Sequence, residues 1–422
     1  MQLSIKDQKI WYAILAFSIV VRVVVAPFTG HPYDMGIWMV SGKYVAAGIS
    51  PYLAHPHIGY PPLWALWCGV AFAISNDLAK GNEFLYIFSI KIPIILGDIV
   101  LPMLLLAGAS RSPLASGKEK GRIIAASFLF NPYVLCVGVI WGMMDNLVAI
   151  LLIISLVLLT SRPVLSGVSA SLAVALKLYP IIFVPLLLIL SVRTRNYDNF
   201  AKWGLAFLGA SVVTIWSPFV LFHWDISGFI GVGVAQVARD FGAIAPLATF
   251  QHLESLGVTS IGLVPLQSIV ASWWLKLIWV PALTITLLLI VWKRPSVEST
   301  PNMTRDCLLV YMMYLLTASW ISEQLMEVVL VLMLFLATFV GFRRFIYVPY
   351  AIGSLIVLIF LTFHVPITSF LFPIYSIAPA PLATVGKMVF PWLTAIFGCY
   401  LIAGIIITAK TFTDGSSFPA EG

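Results

Sequence analysis

The chain has 422 residues, of which 61% are hydrophobic and only 10% charged, and its mean hydropathy is +1.02. About a quarter of an ordinary soluble domain is charged, so this composition excludes a soluble globular enzyme, a disordered chain and a disulfide scaffold. The formal charge of +7 reads as basic loops on one side of a membrane rather than as a nucleic-acid surface.

Apolar segments fall at 10–27, 62–76, 84–107, 123–140, 147–160, 164–192, 203–222, 265–292, 307–321, 325–340, 345–363 and 384–409. Many approach the roughly 20 residues that a helix needs to cross a hydrocarbon core. In lipid the backbone must satisfy its own hydrogen bonds, so helices are expected, whereas a barrel would show short alternating segments. The fold class is therefore an all-α, polytopic transmembrane protein of about 11–13 spans, a single transmembrane domain over 1–422. No A-x-A-like cleavage site follows the first run, which is expected to be retained as the first span. The cysteines Cys68, Cys136, Cys307 and Cys399 have no CxxC pairing and read as packing residues.

Half of the 24 basic residues sit in four places: Arg111, Lys118, Lys120 and Arg122; Arg193, Arg195 and Lys202; Lys293, Arg294 and Arg305; Arg343 and Arg344. The positive-inside rule puts all four in the cytoplasm. Segment 164–192 then has both ends inside, which predicts a hairpin of two short helices turning at the outer face near Lys177, with Pro180 at a helix start. The loops 28–61, 141–146, 223–264, 322–324 and 364–383 fall outside, taking with them His31, His55, His57, His223, His252 and His364. Loop 223–264, with Arg239 against Asp225, Asp240 and Glu254, is acidic. The tail 411–422 is polar and expected to be disordered. An odd number of crossings must separate loop 28–61 from the basic loop 107–122, yet two segments intervene. Either 62–76 is re-entrant or 84–107 is a bent pair.

Few ionisable residues remain, and they gather at the outer ends of spans. Asp34 is the only acid in loop 28–61, ahead of Ile37, Trp38, Val40, Tyr44 and Val45, which fit an interfacial amphipathic helix. A partly desolvated carboxylate there suits a general base acting on a hydroxyl; the alternative is an exposed helix-capping Asp ahead of an apolar helix. Lys91 and Asp98 stand seven residues apart on one face of a span, paired with each other, with Arg22, or used in chemistry. Asp145 and Asn146 follow Trp141-Gly142 and precede a helix that either could cap. Lys177 and Tyr179 occupy the outer turn, where the lysine either binds the phosphate of a lipid carrier or snorkels to the interface. Glu323 and Glu327 are one helical turn apart and either share a proton, cation or ligand, or are solvated helix-end acids. No Walker loop, G-x-S-x-G, H-E-x-x-H or clustered His/Cys set is present.

In order along the chain, Asp34, Tyr60-Pro61-Pro62-Leu63, Lys91-Ile92-Pro93 with Gly97-Asp98, Asn131-Pro132 with Trp141-Gly142-Met143-Met144-Asp145, Lys177-Leu178-Tyr179-Pro180 and Ser322-Glu323-Gln324 resemble the GT-C superfamily of membrane glycosyltransferases. The likeness is to polyprenyl-phosphate-sugar-dependent enzymes such as the GPI mannosyltransferase-like and dolichyl-phosphate-glucose-dependent proteins, over residues 10–340. Met143 stands where the family has Gln, and Ser322 and Gln324 stand where it has His and a basic residue. The resemblance implies an inverting hexosyl, preferably mannosyl, transfer from a polyprenyl-phosphate or dolichyl-phosphate sugar, at the extracytoplasmic face of a plasma or ER membrane, to a glycan or glycolipid acceptor. It implies Asp34 as general base, no metal or other cofactor, membrane lipids as surroundings and room for a partner subunit. With the family's basic residue missing, the donor-phosphate contact is expected from Lys177, Lys91, Arg22 or Arg239. His31, Tyr33, Trp38, Tyr60, Asp98, Trp141, Asp145, Tyr179, Glu323 and Gln324 are expected around the substrate cavity. The alternatives are a transporter or lipid flippase and a non-catalytic subunit of a membrane complex.

Overall fold

The computed structural model describes residues 5–54, 59–110, 117–193, 197–237, 239–262, 264–293, 299–340, 344–364, 367–371 and 380–410. The expectations placed on His55, His57, Arg111, Arg195, Arg294, Arg343, most of loop 364–383 and the tail 411–422 lie outside these residues. The described chain is all-α apart from four two-residue strands.

Helix α1 (Ile5–Val25) passes into a 3-10 turn (Ala26–Phe28) at Pro27, whose ring removes the amide the next turn would need. Helix α2 (Pro32–Ala46) starts with proline in its first turn and is capped by His31, whose side chain accepts the Asp34 amide at 3.4 Å. The cap is thus His31, not Asp34. The one-turn α3 (Pro51–Ala54) and α4 (Pro62–Ala79) follow. Helix α5 (Glu83–Ser110) is one continuous element through Pro93 and Pro102, so 84–107 is not a bent pair. Neighbours tend its carbonyls around Pro93: Trp67 Nε1 donates to Ile90 O (3.1 Å) and Asn146 Nδ2 to Ile94 O (2.7 Å).

Helix α6 (Gly117–Leu129) bends by 48° at Asn131 into α7 (Pro132–Leu135) and a π-helical stretch ending at Trp141. Helices α8 (Asp145–Leu158), α9 (Pro163–Leu176) and α10 (Val184–Arg193) are short. Between the last two the chain turns at the extended Lys177, and Pro180 opens a 3-10 segment, which is the hairpin that the basic ends at Arg162 and Arg193 require. Helix α11 (Tyr197–Ser211) continues through a π-helical stretch into α12 (Ser217–Leu221). The second large loop carries α13 (Ile226–Val237), strand β1 (Gly242–Ala243), α14 (Ala248–Ser255), the hairpin of β2 (Ser260–Ile261) with β3 (Val264–Pro265), and α15 (Leu266–Val270). Helices α16 (Trp279–Trp292) and α17 (Thr300–Thr317) lead to β4 (Trp320–Ile321), followed by α18 (Met326–Val340), α19 (Arg344–His364) and α20 (Ala380–Lys410).

Among the described residues, seven helices are long and apolar enough to cross a membrane, and the bent pair at Asn131 makes an eighth if it is one span. The 11–13 spans expected exceed these seven or eight, and α8, α9 and α10 are apolar but shorter. The chain is a multi-pass integral membrane protein. Helix α18 is buried along almost its whole length, which is why it is apolar all round. Helices α1, α11 and α16 line the periphery and present exposed apolar side chains such as Phe17, Leu205 and Leu288.

The crossing conflict in 62–107 resolves in α4. Helix α5 runs antiparallel to α1: Phe84 packs on Phe28, Lys91 meets the Thr29 carbonyl, and Asp98 meets Arg22 a further two turns along. The C-terminus of α4 leads directly into Glu83, its middle packs on the first two turns of α5 through Trp67 and Phe72, and its N-terminus follows Tyr60. Helix α5 is long and apolar enough to cross and α4 is not among the helices that are, so α5 is read as the single passage. Arg305, expected in a basic loop, is instead buried in the second turn of α17. It sits beside Asp306, which also faces Arg193.

Candidate active site

The first turn of α2 carries Asp34 to the wall of a cavity of about 430 Å³. Trp141 Nε1 donates to Asp34 Oδ2 (2.8 Å), and His31 Nδ1 lies 2.9 Å from the same oxygen while its ring stacks on Trp141 at 4.7 Å. Asp34 Oδ1 has no partner among the described residues, and the side chain keeps 14% of its surface. One carboxylate oxygen is thus fixed and the other is available. The indole reaches Asp34 because the chain turns sharply after it. Gly142 has φ +102°, and a Cβ there would stand 2.3 Å from Met35 Cε, so only glycine fits.

Lys177 enters the cavity from the turn between α9 and α10. Its Nζ donates to Asp145 Oδ2 (2.6 Å) and lies about 6 Å from the ring centres of Tyr60 and Tyr179. Tyr179 donates to the other Asp145 oxygen (2.9 Å). Asp145 is fully buried and its side chain makes no helix-cap bond. A desolvated carboxylate needs such partners; here they fix Lys177 in place.

The opposite wall comes from the segment after α17. Strands β1 and β4 pair in parallel, with Gly242 N donating to Ser319 O (3.1 Å) and Ile244 N to Ile321 O (3.0 Å). This ties the second large loop to the Ser322-Glu323-Gln324 segment. A Cβ on Gly242 would meet Trp320 at 2.1 Å, and Arg239 stacks on the same indole at 4.5 Å. Glu323 is buried and hydrogen-bonded to His364 Nδ1, so a histidine from the end of α19 meets the glutamate that lacks one at position 322. Ser322 Oγ donates to Gln324 Oε1. Burial, and after it the Asp34 carboxylate, push the Tyr33 phenol above its ordinary range, and Arg239 pulls it back. The same forces, with Asp145 added, act on Tyr60.

The cavity therefore gathers His31, Tyr33, Asp34, Tyr60, Trp141, Lys177, Tyr179, Arg239, Glu323 and Gln324. Asp145 stands behind it. Four expected residues are elsewhere. Trp38 is buried against Tyr60 and Trp64, because the helical phase turns it to the opposite side of α2 from Tyr33. Asp98 is closed in a buried pair with Arg22 (2.7 Å) and accepts from Asn146 (2.8 Å). Arg22 is thereby consumed, with further bonds to Ser18 and Leu129 O. Lys91 donates to the Ala26 and Thr29 carbonyls (3.0 and 2.5 Å), which the Pro27 turn leaves open at the end of α1. None of Arg22, Lys91 and Asp98 is a cavity residue. Sequence reasoning missed Gln236, Trp279, Tyr314, Trp320 and His364, which also line the cavity; no local pattern marks them. Glu327 is buried in the bundle with no hydrogen-bond partner for either oxygen among the described residues. Among those residues, no three His, Cys, Asp or Glu side chains are grouped as metal ligands.

Residues 43–236 match the family model described as GPI transamidase subunit PIG-U. That stretch holds Lys177, Asp145 and Tyr60, and Asp34 lies just ahead of it. The chain is also 27% identical over 157 residues to GPI mannosyltransferase 1 of Candida albicans, a match covering 37% of this chain and 36% of that protein. The chain is accordingly similar to about a third of that relative's length. These likenesses are to a GPI transamidase subunit and a GPI mannosyltransferase, and the chain itself is an all-helical, multi-pass membrane protein.

Proposed function

We propose that the chain is a membrane glycosyltransferase that moves a hexose, preferably mannose, from a polyprenyl- or dolichyl-phosphate sugar to a lipid-linked or other acceptor. It works at the extracytoplasmic face, in the GPI-type chemistry that its relatives' names describe. The observation that carries this reading is Asp34, held through one oxygen by Trp141, open through the other, on a cavity that also carries Lys177 and Arg239. Asp34 takes the proton of an acceptor hydroxyl while that oxygen attacks the anomeric carbon. The carbon–oxygen bond to phosphate breaks on the opposite side, its electron pair leaves on the phosphate, and the configuration inverts. General-base catalysis of this kind contributes about 10²–10⁴-fold. Ile181, Ile182 and Leu178 give the cavity an apolar side for a lipid chain, and the Tyr60 ring lines it where a sugar can pack. No metal is assigned, because the leaving group carries a single phosphate.

The test is transfer from a short-chain polyprenyl-phosphate mannose in proteoliposomes. Asp34→Asn, with unchanged size-exclusion profile and melting, is expected to lower turnover by about 10²–10⁴-fold. Unchanged transfer would sink the general-base assignment.

A second reading has an observation of its own. The family match is to a transamidase subunit, and it stops short of Asp34. On that reading the cavity binds a lipid-linked glycan without transfer inside a membrane complex. Asp34→Asn would then leave function in cells intact, and affinity purification from native membranes would return the chain with stoichiometric partners.

A further inference from the structure

We infer that Arg239 is the anion-binding residue of the cavity and takes the phosphate of the lipid-linked donor; this rests on the glycosyltransferase reading. Four cations were candidates, and the fold disposes of three. Arg22 is buried with Asp98, Lys91 is spent on the carbonyls of Ala26 and Thr29, and Lys177 is neutralised by Asp145 at 2.6 Å. Arg239 has no carboxylate or hydrogen-bond partner among the described residues, is half-buried, and lines the cavity. Its guanidinium lies over the Trp320 ring at 4.5 Å. A cation–π contact of this kind uses none of the guanidinium N–H groups, so they remain available to phosphate oxygens, which a guanidinium can bind two at a time.

The position is built rather than incidental. Trp320 belongs to β4, β4 is paired with β1, and Gly242 of β1 has no Cβ because the indole fills that space. The cation is therefore attached by backbone hydrogen bonds to the segment carrying Gln324, the place where the resembled family has its basic residue. Arg239 and Gln324 line the same cavity, so the guanidinium faces the space that Gln324 also borders. As the sugar leaves, the donor's phosphodiester, with one negative charge, becomes a phosphomonoester with up to two, so a fixed guanidinium favours the transition state over the ground state.

The experiment measures equilibrium binding of geranylgeranyl phosphate to the full-length protein in detergent, alongside donor KM and kcat in proteoliposomes. The variants are Arg239→Gln, Arg239→Lys and Trp320→Leu. Arg239→Gln is expected to weaken binding at least tenfold and raise donor KM, while Arg239→Lys retains an intermediate affinity. Trp320→Leu, which leaves the charge but removes its platform, weakens binding less than Arg239→Gln. Inorganic phosphate is expected to compete only at far higher concentration, which assigns the site to a lipid phosphate; equal potency of the two would overturn that assignment. Wild-type affinity in Arg239→Gln overturns the inference, even if Asp34→Asn abolishes transfer and upholds the enzymatic reading. Arg239-dependent lipid phosphate binding by a wild-type protein that transfers no sugar would instead uphold the anion site and remove the glycosyltransferase reading.

Discussion

Asp145 has no exposed surface, and both of its oxygens are committed, one to Lys177 and one to Tyr179. A buried ion pair contributes little net stability when intact, yet costs about 3–5 kcal/mol when one partner is removed, because the other charge is left uncompensated. Lys177→Met is therefore expected to lower the melting temperature in lipid or detergent markedly, and the double variant with Asp145→Leu to restore most of the loss. Equal melting of the single and double variants would contradict the pairing. Sequence position put Asp145 ahead of a helix at the outer face and Lys177 at the outer turn of the hairpin. It did not show that the two neutralise each other across 32 positions, and that pairing leaves Arg239, of the lysine and arginine lining the cavity, as the one without a carboxylate partner among the described residues.

Helices α2 and α4 cross at glycines. A Cβ on Gly42 would stand 2.5 Å from the Cys68 carbonyl oxygen, and one on Gly69 would stand 2.4 Å from Val45. Small residues let helix backbones approach closely in membranes, and here that approach fixes the helix that carries Asp34. Gly42→Val is expected to cost about 1–3 kcal/mol through overpacking and to reduce transfer by displacing α2. Gly36→Ala in the same helix meets nothing within 4 Å and is expected to be neutral or slightly stabilising. Thermal melting of the two variants separates these outcomes, and similar losses in both would argue against the crossing. The helix carrying Ile37 to Val45 was legible in the sequence, but its start was not, because Asp34 was the candidate cap and His31 caps it instead. The β1–β4 pairing was not, because a two-residue parallel ladder between segments nearly 80 positions apart leaves no periodicity to read.

Across the whole molecule, the placement of α4 predicts sidedness. Single cysteines introduced as Tyr33→Cys and Lys80→Cys should label from one side of sealed vesicles, and Glu119→Cys from the other. Labelling of Lys80→Cys from the Glu119 side would mean that α4 crosses, and the cavity would then lose its assigned face. Composition alone determined that the chain lives in a bilayer, because so few charges cannot cover a water-exposed surface. The scarcity of charge also made the outer clusters readable, and the basic ends at Arg162 and Arg193 required the hairpin that presents Lys177. Only the tertiary structure decided which charges face a substrate and which face each other. Arg22, Lys91 and Asp98 look as functional in sequence as Arg239 does. Burial forces the first three into internal partners, while the stack on Trp320 holds Arg239 beside the open cavity, and such pairings depend on contacts between helices far apart in the chain.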